Sequence, residues 1–151
     1  MALHAGRHSA LALLLVACCT IPIHGSQKTE SLTPAEAAAR VARGEAVLID
    51  VREPSEWKDT GVVAQARLLP LSDLKGDRTS WGSFLAENRG KELILYCRTG
   101  NRSGQAAKVL AAEGYDVANA GGLRDWLAAE QPTRPADQPP RDPALPKQAT
   151  P

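Results

Sequence analysis

The stretch ELILYCRTGNRSG, Glu92 to Gly104, decides how this chain is read. Leu93-Ile94-Leu95-Tyr96 is a short apolar run of the kind that forms a buried strand. It stops at Cys97, and five polar or glycine residues follow before Ser103 opens an amphipathic helix. A strand ending in a cysteine, then a tight loop, then a helix N-terminus gathers backbone N–H groups around one sulfur. The stretch predicts a site for an anion and a thiolate.

Outward from it, short apolar runs alternate with helical patterns. Upstream, Thr33-Pro34-Ala35-Glu36 reads as N-cap, first-turn proline and capping-box glutamate. The spacing predicts a helix through Arg43 that stops at Gly44. Ala46–Ile49 is a continuous apolar run, expected of a strand covered on both faces. Residues 54–59 have room for a short helix anchored by Trp57, and 62–71 for a short strand. The polar run 72–80 reads as a surface loop holding Lys75, Asp77 and Arg78. Trp81, Phe84 and Leu85 share one face of a helix over 81–88. Downstream, a helix over 103–113 ends at Gly114, and 115–118 is a strand. Leu123–Glu130 is a helix with Leu123, Trp126 and Leu127 facing inward. This alternation predicts an α/β domain, a central parallel sheet with helices on both faces. Ligands of such sheets sit beyond the carboxyl ends of the strands, where Cys97 lies.

The ends of the chain look unlike its middle. Residues 1–19, MALHAGRHSALALLLVACC, carry Arg7 and then an apolar run too short to span a bilayer but suited to a secretory signal. Leu15-Val16-Ala17-Cys18 resembles a bacterial lipobox, whose cysteine is lipid-modified. The expectation is export to the periplasm, as a lipoprotein anchored through Cys18 or as a free cleaved protein. Residues 20–32 read as a spacer, 33–130 as the domain and 131–151 as a proline-rich tail, disordered or polyproline-like. A formal net charge of +1 and no basic stripe argue against nucleic-acid binding.

Without the leader, Cys97 is the only thiol of the domain, so internal disulfides and dithiol exchange are excluded. His4, His8 and His24 all precede the domain. That leaves neither a zinc ligand set nor a histidine base for a cysteine protease, and no metal or cofactor is expected. Positive potential remains to activate the thiol. Arg98 and Arg102 flank it, and the helix near Ser103 aims its positive end at the loop, a setting that lowers a thiol pKa below its free value of about 8.5.

Three motifs carry a resemblance. Cys97-Arg98-Thr99-Gly100-Asn101-Arg102-Ser103 resembles the C-R-x-G-x-R-S/T loop of rhodanese-like sulfurtransferases. Leu48-Ile49-Asp50-Val51-Arg52-Glu53 resembles their first-strand signature, and Asn119-Ala120-Gly121-Gly122-Leu123-Arg124-Asp125-Trp126 their N-x-G-G-L/M-x-x-W element. The resemblance covers about residues 33–130, and the exported single-domain form is most similar to periplasmic phage-shock rhodaneses. One segment departs from the pattern. Where the family often has G-H-I-P-G-A, this chain has Gly61-Val62-Val63-Ala64-Gln65-Ala66, without the histidine, proline and second glycine.

The resemblance implies double displacement. The Cys97 thiolate takes the outer sulfur of thiosulfate or a similar anionic donor and passes it to cyanide or a thiol. The loop N–H groups would hold the persulfide, and Arg98 and Arg102 would draw in the donor. Thr99 and Asn101 read as turn formers. Gly100 supplies a backbone shape that a side chain would obstruct, and Ser103 caps the helix, bonds the sulfur, or both. Asp50 and Arg52 read as an ion pair bracing a strand end rather than an acid–base pair, and Trp57, Trp81 and Trp126 as core anchors. Two rivals stay open. Tyrosine phosphatases need an arginine six positions after the cysteine, where this chain has Ser103 and places Arg102 one residue early. A binding module that kept the fold without catalysis is the other.

Overall fold

The computed structural model describes residues 29–142; the leader with Cys18 and the last nine residues lie outside the described residues. The capping box at Thr33 forms, with Glu36 N–H donating to Thr33 Oγ1 and the Glu36 carboxylate accepting from Thr33 N–H. It starts α1 (Pro34–Ala42). The apolar run becomes β2 (Ala46–Asp50), and α2 (Pro54–Thr60) follows. The expected single strand over 62–71 is two short ones, β3 (Val62–Val63) and β4 (Arg67–Leu68).

The polar run 72–80 is not simply a loop. It is largely helical, in α3 (Leu71–Lys75) and the start of α4 (Thr79–Glu87). Leu71 and Leu74, three residues apart, are both buried and pull α3 onto the core. Asp73 then accepts the Thr79 and Ser80 N–H groups, supplying the cap of α4 from a distance. Arg78, between the two helices, ties them to Glu113 elsewhere in the chain through a bidentate pair.

The remaining elements are β5 (Glu92–Cys97), α5 (Asn101–Ala112), β6 (Val117–Gly122), α6 (Leu123–Ala128) and β7 (Thr133–Arg134). Glu30–Ser31, expected to be spacer, forms an edge strand, β1, beside β6. The sheet is parallel throughout in the order β1-β6-β5-β2-β4, which puts β5 at its centre. Successive β5 side chains go to opposite faces. Leu93, Leu95 and Cys97 pack with α3, α4 and α5, while Ile94 and Tyr96 pack with α1 and α6. Cys97 therefore points at the first turn of α5. Trp126 is buried with its ring 5.6 Å from that of Tyr96. Leu127, expected inward, is instead exposed, because six helical residues bury only the Leu123–Trp126 face.

Residues 131–142 do not form a free tail. Strand β7 pairs antiparallel with β3, and Arg141 N–H reaches back to Ala64 O. Arg134 is the reason. It is 3 % exposed and donates to Ala64 O at 3.0 Å, Ala66 O at 2.7 Å, and the carbonyls of Pro135, Ala136 and Gln138. A proline-rich composition predicts no core of its own, but one buried guanidinium satisfies five carbonyls and fastens the segment. Its clamp falls on Ala64 and Ala66, in the stretch that departs from the family pattern.

Candidate active site

The site is built by two crossings of the chain at the carboxyl end of the sheet. β5 ends at Cys97, and α5 starts two residues before the expected Ser103, with Gly100 as its N-cap at φ +89°. A residue with a Cβ is strained there, so glycine is the residue that lets the chain turn from strand into helix within three positions. The second crossing is the β6–α6 junction. A Cβ on Gly122 would lie 2.6 Å from Arg98 O and 3.0 Å from Thr99 Cα, both backbone atoms. Gly122 thus allows the cysteine loop to rest directly on the β6 end, where it pairs with Cys97 after a one-residue shift of register.

The loop closes over the sulfur. Cys97 Sγ accepts from Gly100 N–H at 3.1 Å and stands 3.5 Å from Ser103 Oγ. Cys97 itself is fully buried, although Arg98 and Thr99 beside it are exposed. Burial is the largest influence on the thiol and raises its pKa. The Ser103 hydroxyl and the N–H groups of Ser103, Thr99 and Gly100 together outweigh it, and the thiol is more acidic than usual. Of the expected sources of positive potential, the loop hydrogen bonds reach the sulfur directly, and Arg102 also interacts with it through charge.

Ser103 is neither cap nor free rotor. Its Oγ lies 2.8 Å from Asn119 Oδ1 and 3.1 Å from Gly100 O, and Asn119 Nδ2 donates to Gly100 O at 3.0 Å. Gly121 N–H donates to the same Asn119 Oδ1, which assigns the amide orientation. Asn119 is the residue that sequence reasoning left without a role. Its signal was its place at the head of the Asn119-Ala120-Gly121-Gly122 motif. Asn101, by contrast, only accepts from Gln105 on the surface of α5.

The arginines part company. Arg98 is exposed and lines a groove of about 610 Å³ with Thr99, Glu56, Asp59, Leu123, Arg124 and Leu127 among its other walls. Arg102, expected to draw in the donor, is ion-paired and partly exposed. Its two terminal nitrogens pair with both Glu56 oxygens at 2.6 and 2.7 Å. The Arg102 hydrogen bonds, aided by Glu53 N–H and opposed by burial, pull the Glu56 carboxyl down to about 2. Asp50 and Arg52 are a buried pair, 2.6 Å apart, and Arg52 also donates to Thr60 Oγ1 and Gly61 O. They brace the end of β2 against α2, as a structural pair would.

The domain that carries this cysteine has counterparts among known proteins. A family model of rhodanese-like domains matches residues 33–129. The chain belongs to the rhodanese-like family. The thiosulfate:glutathione sulfurtransferase of Saccharomyces cerevisiae is 32% identical over 92 residues, 54% of this chain and 65% of that one. The thiosulfate sulfurtransferase PspE of Escherichia coli is 35% identical over 78 residues, 51% of this chain and 70% of that one. An uncharacterised Synechocystis protein is 38% identical over 89 residues, but the chain spans only 46% of its length. Among solved structures, a human single-domain sulfurtransferase superposes with a TM-score of 0.54 at 28% identity, covering 66% of this chain and 95% of that one. The shared part is the rhodanese-like domain with its parallel sheet. Arg134 and the 131–142 segment lie beyond the residues that the family model matches.

Proposed function

We propose that this rhodanese-like chain is a sulfurtransferase that carries sulfane sulfur as a persulfide on Cys97. The observation that carries the reading is the hydrogen-bonded sulfur: the Gly100 N–H at 3.1 Å, the Ser103 hydroxyl at 3.5 Å and an acidified thiol. In the first half-reaction the thiolate attacks the outer sulfur of thiosulfate or a similar anionic donor. The S–S bond of the donor breaks and sulfite leaves with its electron pair. In the second, a thiol or cyanide acceptor attacks the outer persulfide sulfur and Cys97 returns as thiolate. The same N–H groups that hold the thiolate suit a persulfide anion.

Mass spectrometry after incubation with thiosulfate tests this. The expected result is a gain of one sulfur atom, absent in Cys97→Ser, with thiocyanate released on adding cyanide and no cleavage of an aryl phosphate. An unchanged mass with every sulfane donor would leave a non-catalytic binding module. Aryl phosphate cleavage would restore the phosphatase reading, which the early position of Arg102 disfavours. The leader supports a further part of the proposal, action in the periplasm with Cys18 lipidated, which is read out by fatty-acid labelling of the parent against Cys18→Ala.

A further inference from the structure

Arg102 is the second residue of α5, next to Ser103 of the sulfur's cradle, yet each of its terminal nitrogens donates to a Glu56 oxygen. Glu56 is itself held in place. One of its oxygens accepts Glu53 N–H, and its backbone carbonyl accepts the Thr60 hydroxyl. With its carboxyl pulled down to about 2, it is an anion at every pH at which the protein would work. The groove beside the loop offers no surplus of positive charge to offset it. Its guanidiniums, Arg52, Arg98 and Arg124, are matched by three carboxylates, Glu56, Asp59 and Asp125. Cys97 is fully buried, and the loop residues next to it, Arg98 and Thr99, line this groove, so a donor approaching the loop from the groove meets this balanced wall.

A dianion there gains little from the field and must compete with a preset carboxylate for Arg102. A donor with one negative charge or none pays much less of that competition. We infer that Glu56 sets the charge of the sulfur donor: by holding Arg102 it selects monoanionic or neutral sulfane donors, of the persulfide and polysulfide class, over dianionic thiosulfate. The inference rests on the sulfurtransferase reading above and names the substrate class of the same site.

Two donors that differ by one charge at the same reacting sulfur test it: thiosulfate, and the methanethiosulfonate anion. The second loses methanesulfinate where the first loses sulfite, and both leave a persulfide on Cys97. Glu56→Gln keeps an oxygen for Glu53 N–H and so keeps the start of α2. The expected result is a rise of about tenfold in kcat/KM for thiosulfate, carried by KM, the size of one charge-assisted hydrogen bond from the released Arg102 guanidinium to a bound dianion. For methanethiosulfonate the rise is about threefold, because the interaction scales with donor charge. In an Arg102→Gln background the thiosulfate gain shrinks to about threefold or less, as pairs acting through each other do. Thiosulfate turnover by Glu56→Gln also becomes more sensitive to salt than that of the parent. Equal changes for the two donors, a fall in thiosulfate turnover, or a full gain without Arg102 would overturn the inference and leave Glu56 a structural tether. Failure of both donors to load Cys97 in parent and variant alike would overturn the sulfurtransferase reading itself, and the inference with it.

Discussion

Two regions of this protein use one device with opposite polarity. In the loop after β5, backbone N–H groups of Thr99, Gly100 and Ser103 converge on the Cys97 sulfur. In the segment after α6, backbone carbonyls of Ala64, Ala66, Pro135, Ala136 and Gln138 converge on the Arg134 guanidinium. The first collects donors and favours an anion; the second collects acceptors and keeps a cation in the interior. Their consequences differ because of what lies outside each. The sulfur sits below a loop that borders an open groove, so it is poised for exchange with a small anion. Arg134 also borders a groove of about 610 Å³, but its guanidinium N–H groups are spent on carbonyls of the two chain segments that it joins, so it holds the fold. A converging set of backbone groups suits a reactive site where the group it holds keeps bonding capacity for a substrate.

Breaking the clasp should give the largest effect, and only on stability. Arg134→Met leaves buried carbonyls without donors at a cost of about 3 kcal/mol or more. Melting should fall by more than about 10 °C, while the alkylation rate of Cys97 in the folded protein stays as in the parent. Lysine should restore little, since one ammonium cannot reach all five carbonyls. A chain ending at Glu130 should melt as Arg134→Met does; a parent-like melting point would show that the clasp is dispensable.

The loop should show the reverse. Gly122→Ala places a Cβ against the backbone of Arg98 and Thr99 and displaces the cradle. Sulfur transfer should drop about a hundredfold, the scale set by ångström misplacement of reacting groups, measured as thiocyanate release. Ser103→Ala removes one of the hydrogen bonds that acidify the thiol. Alkylation of Cys97 at neutral pH should slow by about tenfold, and the midpoint of its pH profile should move upward. The smallest effect is acid stability. The folded Glu56 carboxyl titrates at about 2, below its ordinary value of 4.5. Its pairing therefore stabilises the protein above pH 4.5 and is lost as pH falls toward 2. Glu56→Gln should flatten the stability curve in that window, followed by circular dichroism against denaturant; a slope unchanged there would show the pair to be neutral for folding.

Much of this was legible in the residues. The apolar runs at Ala46–Ile49 and Leu93–Tyr96, the capping box at Thr33 and the glycine stops are local signals, and local signals write themselves in consecutive residues. The cysteine, its loop and the Asn119-Ala120-Gly121-Gly122 motif were also readable, because a backbone cradle needs particular residues at fixed spacing. Where the reading failed, the deciding contact was remote. The 72–80 run looked polar, but Leu71 and Leu74 meet the core and make it helical. Leu127 looked apolar and inward, but its short helix had already buried Leu123 and Trp126.

The sequence by itself determined the class of fold, the cysteine at the end of the central strand and the loop amides that follow it, since all of these follow from neighbours along the chain. Tertiary structure alone decided who holds Arg102, what orients Ser103, and whether the proline-rich segment is attached. Glu56 lies 46 positions from Arg102, Asn119 lies 16 from Ser103, and Arg134 lies 70 from Ala64. No periodicity or motif encodes such pairings. They arise when the parallel sheet brings the ends of β2, β5 and β6 together, and the charges and polar groups stranded there must find partners out of water. The loop from Glu92 to Gly104 thus states the chemistry, and the residues folded against it set its terms.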